Sequence, residues 1–301
     1  MLRRIHAILL ALCMTTVLCS VSAKAEYEHY ADDAEFTPEI TFNEYDYIIA
    51  VRQDDSDTFW GRQMSIEEEE YIKSSAIETE LLHRASLPID VLKDQYCYTD
   101  EEIVILKEYD GSRLEKNPQL RALSATLSGY MMSLVQTNTR MGIYYAWTWS
   151  SAPLVVDAND YVAVAWEGTY NNGGSNNIRL NRTLSYATIQ YHISPTKEEP
   201  VTLNGQSFTS NNELLGAAVK FPMHMWKDTY YYWAKSGAMF LYIDLVNQTN
   251  GPSIYSVSSH AEYAHFSLIT SASVGFPASL SISFTGSYSI SDSKNLYQVA
   301  Y

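Results

Sequence analysis

The feature that most constrains this chain is a change of period near Leu123. Before it, apolar residues recur at helical spacing; after it, they alternate with polar ones as a pleated strand requires. Ile143 to Trp149, Tyr161 to Trp166, Thr183 to Ile193 and Met239 to Val246 read as strands rich in aromatic and β-branched residues. Turn chemistry separates them at Asp157 to Asp160, Asn171 to Gly174, Asn204-Gly205 and Asn250 to Pro252. Strands at this spacing, with no helices between them, predict an antiparallel β-sandwich over 118–301 and argue against a parallel α/β fold. The absence of a short internal repeat argues against a propeller or solenoid.

Ahead of the strands the pattern predicts a small helical cluster over 63–117. Ser65 with Glu68 makes a capping box for a helix running to about Arg84. Pro88 suits the first turn of a second helix carrying Ile89, Val91 and Leu92. Thr99 with Glu102 caps a third, which holds Ile103 and Leu106 and stops at Gly111. Helices this short need something larger to dock on. The expected fold is therefore α+β, mainly β, with the N-terminal cluster packed on the sandwich.

The two halves differ in charge. Residues 26–110 carry 24 acidic and 6 basic side chains, whereas 111–301 carry 11 of each. An acidic segment repels phosphate backbones and anionic headgroups, so nucleic acid is not an expected partner. Residues 26–62 read as an acidic, partly disordered arm, because dense carboxylates repel and little apolar area offsets chain entropy; Tyr47 to Val51 is its one candidate strand. No cofactor is expected. Asp54 to Asp57 is the one place considered for Ca²⁺, but it lacks the glycine and distal glutamate of an EF-hand loop.

Residues 1–25 read as a signal peptide. Arg3 and Arg4 precede an apolar run from Ile8 to Val21, and Ala23-Lys24-Ala25 supplies small residues at a cleavage site. The run is shorter than a membrane span needs, and Leu12 and Leu18 stand where a lipoprotein signal wants a small residue. The expected product is secreted and extracellular. Cleavage would remove Cys13 and Cys19 and leave Cys97 without an internal disulfide partner. Cys97, between Tyr96 and Tyr98, offers an intermolecular link or a nucleophile, but with no histidine nearby it reads as a small buried hydrophobe.

The stretch Leu92-Lys-Asp-Gln-Tyr-Cys-Tyr-Thr-Asp-Glu-Glu-Ile-Val-Ile-Leu-Lys-Glu-Tyr-Asp-Gly111 resembles a segment of uncharacterised secreted proteins of Firmicutes. There a short helix, an aromatic turn and a helix opened by T/S-D-E end in Y/F-D-G. The resemblance implies export from a Gram-positive bacterium and carries no catalytic residues over.

Aromatic residues are the main functional signal. Tyr145, Trp147 and Trp149 share one strand face, where large rings fill cores. The patch from Met225 to Trp233 is different, since four consecutive aromatics cannot all point one way. Trp226, Tyr230, Tyr232 and Trp233 are the candidate ligand-binding residues, their faces suited to a glycan or a surface protein. The expected function is non-catalytic extracellular recognition. Two alternatives stand beside it. One is a membrane-active β-pore, because Leu280, Ile282, Phe284, Tyr288 and Ile290 alternate with serines and threonine from Ser279 to Ser291. The other is a hydrolase using Glu167 or Asp244, although no spacing singles out a carboxylate pair; Asp157 and Asp160 read as turn formers. His260 and His265 fall on opposite strand faces and so do not share a metal, and His224 reads as packing. No G-x-S-x-G, H-E-x-x-H, P-loop or dinucleotide motif is present, which leans the reading away from an enzyme.

Overall fold

The structure, a computed structural model, describes residues 40–53, 58–59, 62–63, 66–123, 125–137, 139–154, 159–170, 178–194, 196–228, 230–246, 254–265, 273–276, 282–285, 289–291 and 296–299. The described residues belong to one compact unit within 36–301. The leader, Asp54 to Asp57, Ser65, and the turns Asn171 to Gly174 and Asn250 to Pro252 lie outside the described residues.

The fold is α+β, mostly strand, with antiparallel sheets that do not close into a barrel. A first strand, β1 (Ile40–Asn43), leads into α1 (Glu44–Gln53). The short pair β2 (Thr58–Phe59) and β3 (Arg62–Gln63) precedes α2 (Ile66–Lys73), α3 (Ala76–Ser86), α4 (Ile89–Asp94) and α5 (Asp100–Lys107). Strands follow: β4 (Thr126–Thr137), β5 (Arg140–Trp149), β6 (Asn159–Tyr170), β7 (Ile178–Leu180), β8 (Tyr186–Ser194), β9 (Lys197–Asn204), β10 (Gly216–Pro222), β11 (His224–Lys227), β12 (Tyr230–Leu245) and β13 (Ile254–His265). The last are short: β14 (Ser273–Gly275), β15 (Ser283–Thr285), β16 (Ser289–Ser291) and β17 (Leu296–Val299).

The larger sheet has the order β1-β4-β5-β12-β8-β9, with β7 and β11 also on β12; the smaller runs β10-β6-β13-β16, with β17 also on β13. Between the two lies one apolar core. Trp147, Trp149, Ile189, Met239 and Leu241 meet Val162, Val164, Trp166, Phe221 and Tyr263 there. Tyr145, Trp147 and Trp149 are thus core residues, and Trp147 lies so close over Gly237 that a Cβ there would come within 2.3 Å of its ring.

Three local expectations need correction. Tyr47 to Val51 is not a strand but the middle of α1, where Tyr47, Ile48 and Val51 fall on one buried face. Asn43 starts that helix by accepting the Asp46 amide at 3.1 Å. The long helix to Arg84 is two helices, broken where the Ser74 hydroxyl donates to the Tyr71 carbonyl and accepts the Ala76 amide. The described parts of the serine-alternating stretch fall in different sheets: β15 pairs with β14 in a two-stranded sheet, whereas β16 pairs with β13 in the smaller sandwich sheet. The capping box at Thr99 is present in both halves, with the Glu102 amide donating to the threonine and the Thr99 amide donating to the glutamate.

The helices share a second core of Ile48, Ile77, Leu81, Leu92 and Leu106, which Leu154 joins from the loop after β5. Buried polar contacts add to this apolar attachment to the strands. Arg84, fully buried, donates to Glu80, to the Tyr98 hydroxyl and to the carbonyls of Ala152 and Pro153. Glu44 accepts the Leu154 amide at 2.9 and 3.0 Å.

Candidate functional site

The hairpin of β11 and β12 is joined by two residues, and Asp228 takes a left-handed φ of 49°, a conformation that such tight connections use and aspartate tolerates. Residues paired directly across strands share a face. Trp226 opposite Tyr231 and His224 opposite Trp233 therefore lie on one side, while Lys227 opposite Tyr230 and Met225 opposite Tyr232 lie on the other.

That geometry divides the four aromatic candidates. Trp226 is 69 % exposed, its ring edge-on to Tyr231 at 5.1 Å, and Tyr231 in turn stacks on His224 at 5.0 Å. Tyr230 is 42 % exposed on the opposite face, with the Lys197 ammonium 3.7 Å over its ring. Tyr232 and Trp233 correct the expectation: at 7 % and 2 % exposure they are buried and offer no open ring to a ligand. Tyr232 points into the sandwich core. Trp233 faces the other way but is covered by the turn after α4, where its indole N–H donates to the Gln95 carbonyl at 2.7 Å. The four do not enclose one groove.

No protein-family model matches this chain, and no curated protein matches it. The site has therefore to be read from its own chemistry.

On the Trp226 face runs a row of paired side chains. Glu198 on β9 pairs across from His192 on β8, His192 across from Trp233 on β12, and Trp233 across from His224 on β11, so all four side chains lie on one sheet face. The turn after α4 brings Cys97 onto this row. Its sulfur lies 3.2 Å from His192 Nε2, and Lys235 Nζ donates to it at 3.3 Å. Cys97 does pack, half-buried, against the sandwich core, but a histidine 95 residues away in sequence corrects the premise that none is near it. Lys235 reaches the sulfur because the β12–β8 register slips between Ala234 and Ser236, a bulge that re-aims the intervening side chain.

Burial pushes the Cys97 thiol up; Lys235 draws it down, and the Glu198 and Asp94 carboxylates raise it again. Burial pushes the His192 imidazole down, as does the Lys235 charge, while the Asp94 carbonyl and Glu198 act upward. Sequence reasoning missed His192, Glu198 and Lys235. The one local signal was phase: His192 and Gln190 occupy the polar positions of β8, against inward Ile189 and Tyr191.

The carboxylates also fall differently from expectation. Asp160 is not a turn former but wholly buried at the start of β6, accepting from the Tyr263 hydroxyl at 2.5 Å and facing His265 Nδ1 at 2.9 Å. Burial works against the His265 charge, but Asp160 and Glu44 overcome it and raise the imidazole to about 9. Burial pushes the Asp160 carboxyl up against the pull of His265. Asp244 accepts two hydrogen bonds from Arg140, at 2.6 and 2.9 Å, and one from Asn181 at 2.7 Å. Burial pushes it up, but those bonds hold its carboxyl below the usual range, which fits an ion-pair anchor and not a proton donor. Glu167 is half-buried on β6. Among the described residues no cluster of three His, Cys, Asp or Glu has metal-site geometry, and no helix is long and apolar enough to cross a membrane.

Proposed function

We propose that this chain is an exported recognition protein that binds an extracellular glycan through the Trp226 face of the β11–β12 hairpin. The observation that carries the reading is the exposed Trp226 ring braced edge-on by Tyr231. A large aromatic held open on a rigid two-residue hairpin costs apolar exposure and contributes little to the core, while its face suits the C–H surface of a sugar. His224 backs the same face, and the basic, apolar and small-residue order of residues 1–25 supports export.

The test is binding of the protein beginning at residue 26 to a panel of purified cell-wall and storage polysaccharides, by affinity electrophoresis and calorimetry. At least one should bind, and Trp226→Ala should weaken it about tenfold or more while changing stability by no more than about 0.5 kcal/mol. A panel that is bound by neither protein, or equally by both, refutes the glycan reading; capture of a surface protein through Trp226 would replace it.

A further inference from the structure

Every arginine after Arg121 stands at one place on the molecule. Arg140 on β5, Arg179 on β7 and Arg182 in the turn after β7 gather at the last residues of β12, in a chain whose net charge is −15. Sheet pairing brings them there, since Asp244 lies across from Arg140 on one side and from Arg179 on the other. Arg140 donates to both oxygens of Asp244, and Asn181 adds a third bond. Glu213, in the loop before β10, takes the other two guanidiniums. Arg182 Nε donates to its Oε1 at 2.6 Å, and Arg179 meets Oε2 through Nε and Nη2, each at 2.7 Å. Arg182 is held further by its Nη1, which donates to the carbonyls of Gly205 and Phe208 at 2.9 and 2.7 Å.

Arg179, Asn181, Arg182, Glu213, Asp244 and Val246 line an open cavity of about 440 Å³, within the size range of small-molecule sites. What these side chains leave unspent defines the ligand. Three guanidiniums stand against two carboxylates, a local excess of one positive charge. Among the described residues, Arg179 Nη1 and Arg182 Nη2 have no protein acceptor, so N–H donors remain. Asp244 and Glu213 each meet three donors out of the roughly four lone-pair positions a carboxylate offers, which leaves room for a hydroxyl. Hydrogen bonds from Arg182 and Arg179 hold the Glu213 carboxyl below the usual carboxylate range against burial, so it stays an acceptor at neutral pH. Val246 gives the rim an exposed apolar surface.

We propose that this cavity is a second binding site, for the carboxylate-bearing ring of an acidic sugar of the uronic acid class. Its carboxylate takes the open guanidinium N–H groups of Arg179 and Arg182, a charge-assisted pairing of planar groups. Its hydroxyls donate to the lone pairs left on Glu213 and Asp244, and its C–H surface meets Val246. The same set rejects close alternatives. A neutral sugar leaves the guanidinium donors without an anion, and a simple polyanion meets Glu213 and Asp244 with like charge. The cavity lies apart from the hairpin: Tyr231, which braces Trp226, precedes Asp244 on β12 by about 40 Å at roughly 3.3 Å per residue. Recognition here therefore does not rest on glycan binding at Trp226, and either reading can fail alone.

Calorimetric titration of the protein at low ionic strength, with trigalacturonate and with the neutral galactotriose, tests the proposal. Trigalacturonate should bind, and galactotriose should bind about tenfold or more weakly. Arg179→Gln should weaken trigalacturonate about tenfold; that side chain is largely exposed and the Arg182 anchors stay in place, so the fold is kept. Val246→Asp, also on an exposed side chain, sets a like charge at the rim and should weaken binding further as ionic strength falls. No binding of trigalacturonate, equal binding of the neutral sugar, displacement by an equal concentration of inorganic phosphate, or an affinity unchanged in either variant overturns the proposal. Binding lost in Trp226→Ala and kept in Arg179→Gln would move the acidic sugar to the hairpin and overturn it as well.

Discussion

The core between the two sheets and the seam that joins the helices to them are both buried, yet they are built from opposite materials. The core is rings and aliphatic chains, with Trp147, Trp166 and Met239 making no ion pair there. Across the seam run Arg84, Glu44, Asp160 and His265, all nearly inaccessible to water. A core holds by volume and tolerates change of shape within limits. A seam of charges holds by partners, and removing one leaves the others buried and uncompensated. The difference teaches why the helical cluster docks in one register: its charged side chains have partners in one place only, and that register sets Cys97 onto β8 and β12.

The sharpest way to break this contrast is a pair of size-conserving substitutions. Arg84→Met should cost about 3–5 kcal/mol in urea unfolding, because Glu80 and the Ala152 and Pro153 carbonyls lose their donor. Met239→Leu, equally buried in the core, should cost under about 1.5 kcal/mol. Equal costs would erase the distinction.

The seam should also answer to pH where the core does not. His265 is raised from an ordinary 6.5 to about 9 by Asp160 and Glu44. A folded-state value above the unfolded one means that the charged ring's contribution is complete below about pH 6.5 and lost as pH rises through about 9. Urea midpoints should therefore fall between pH 7 and 10, and His265→Gln should flatten that fall. The smallest effect lies within the helical cluster, where Thr99→Ala removes one half of a capping box and should cost about 1 kcal/mol in thermal unfolding.

These regions also differ in how far the sequence reveals them. Strand positions and the Thr99–Glu102 cap were legible, because alternation and capping are local in the chain. The helix α1 was misread because Tyr47 to Val51 is short, apolar and partly β-branched, and its helical face matters only against Leu154 and the other helices. Asp160 looked like a turn former because its partner His265 lies 105 residues on. The aromatic patch was legible as a composition and illegible as a surface: register sends Trp226 and Tyr230 to opposite faces, and the turn after α4 covers Trp233. The thiol centre gathers side chains from that turn, β8, β9 and β12, a placement that only the sheet order creates.

The central claim is that the seam makes the helices and the sandwich one folding unit. Equilibrium urea unfolding of residues 26–301, followed together by helical circular dichroism and by tryptophan fluorescence, tests it. The account predicts coincident transitions with one midpoint, which Arg84→Met splits apart. Separate transitions in the unmodified chain, with helices lost while tryptophans stay buried, would contradict it.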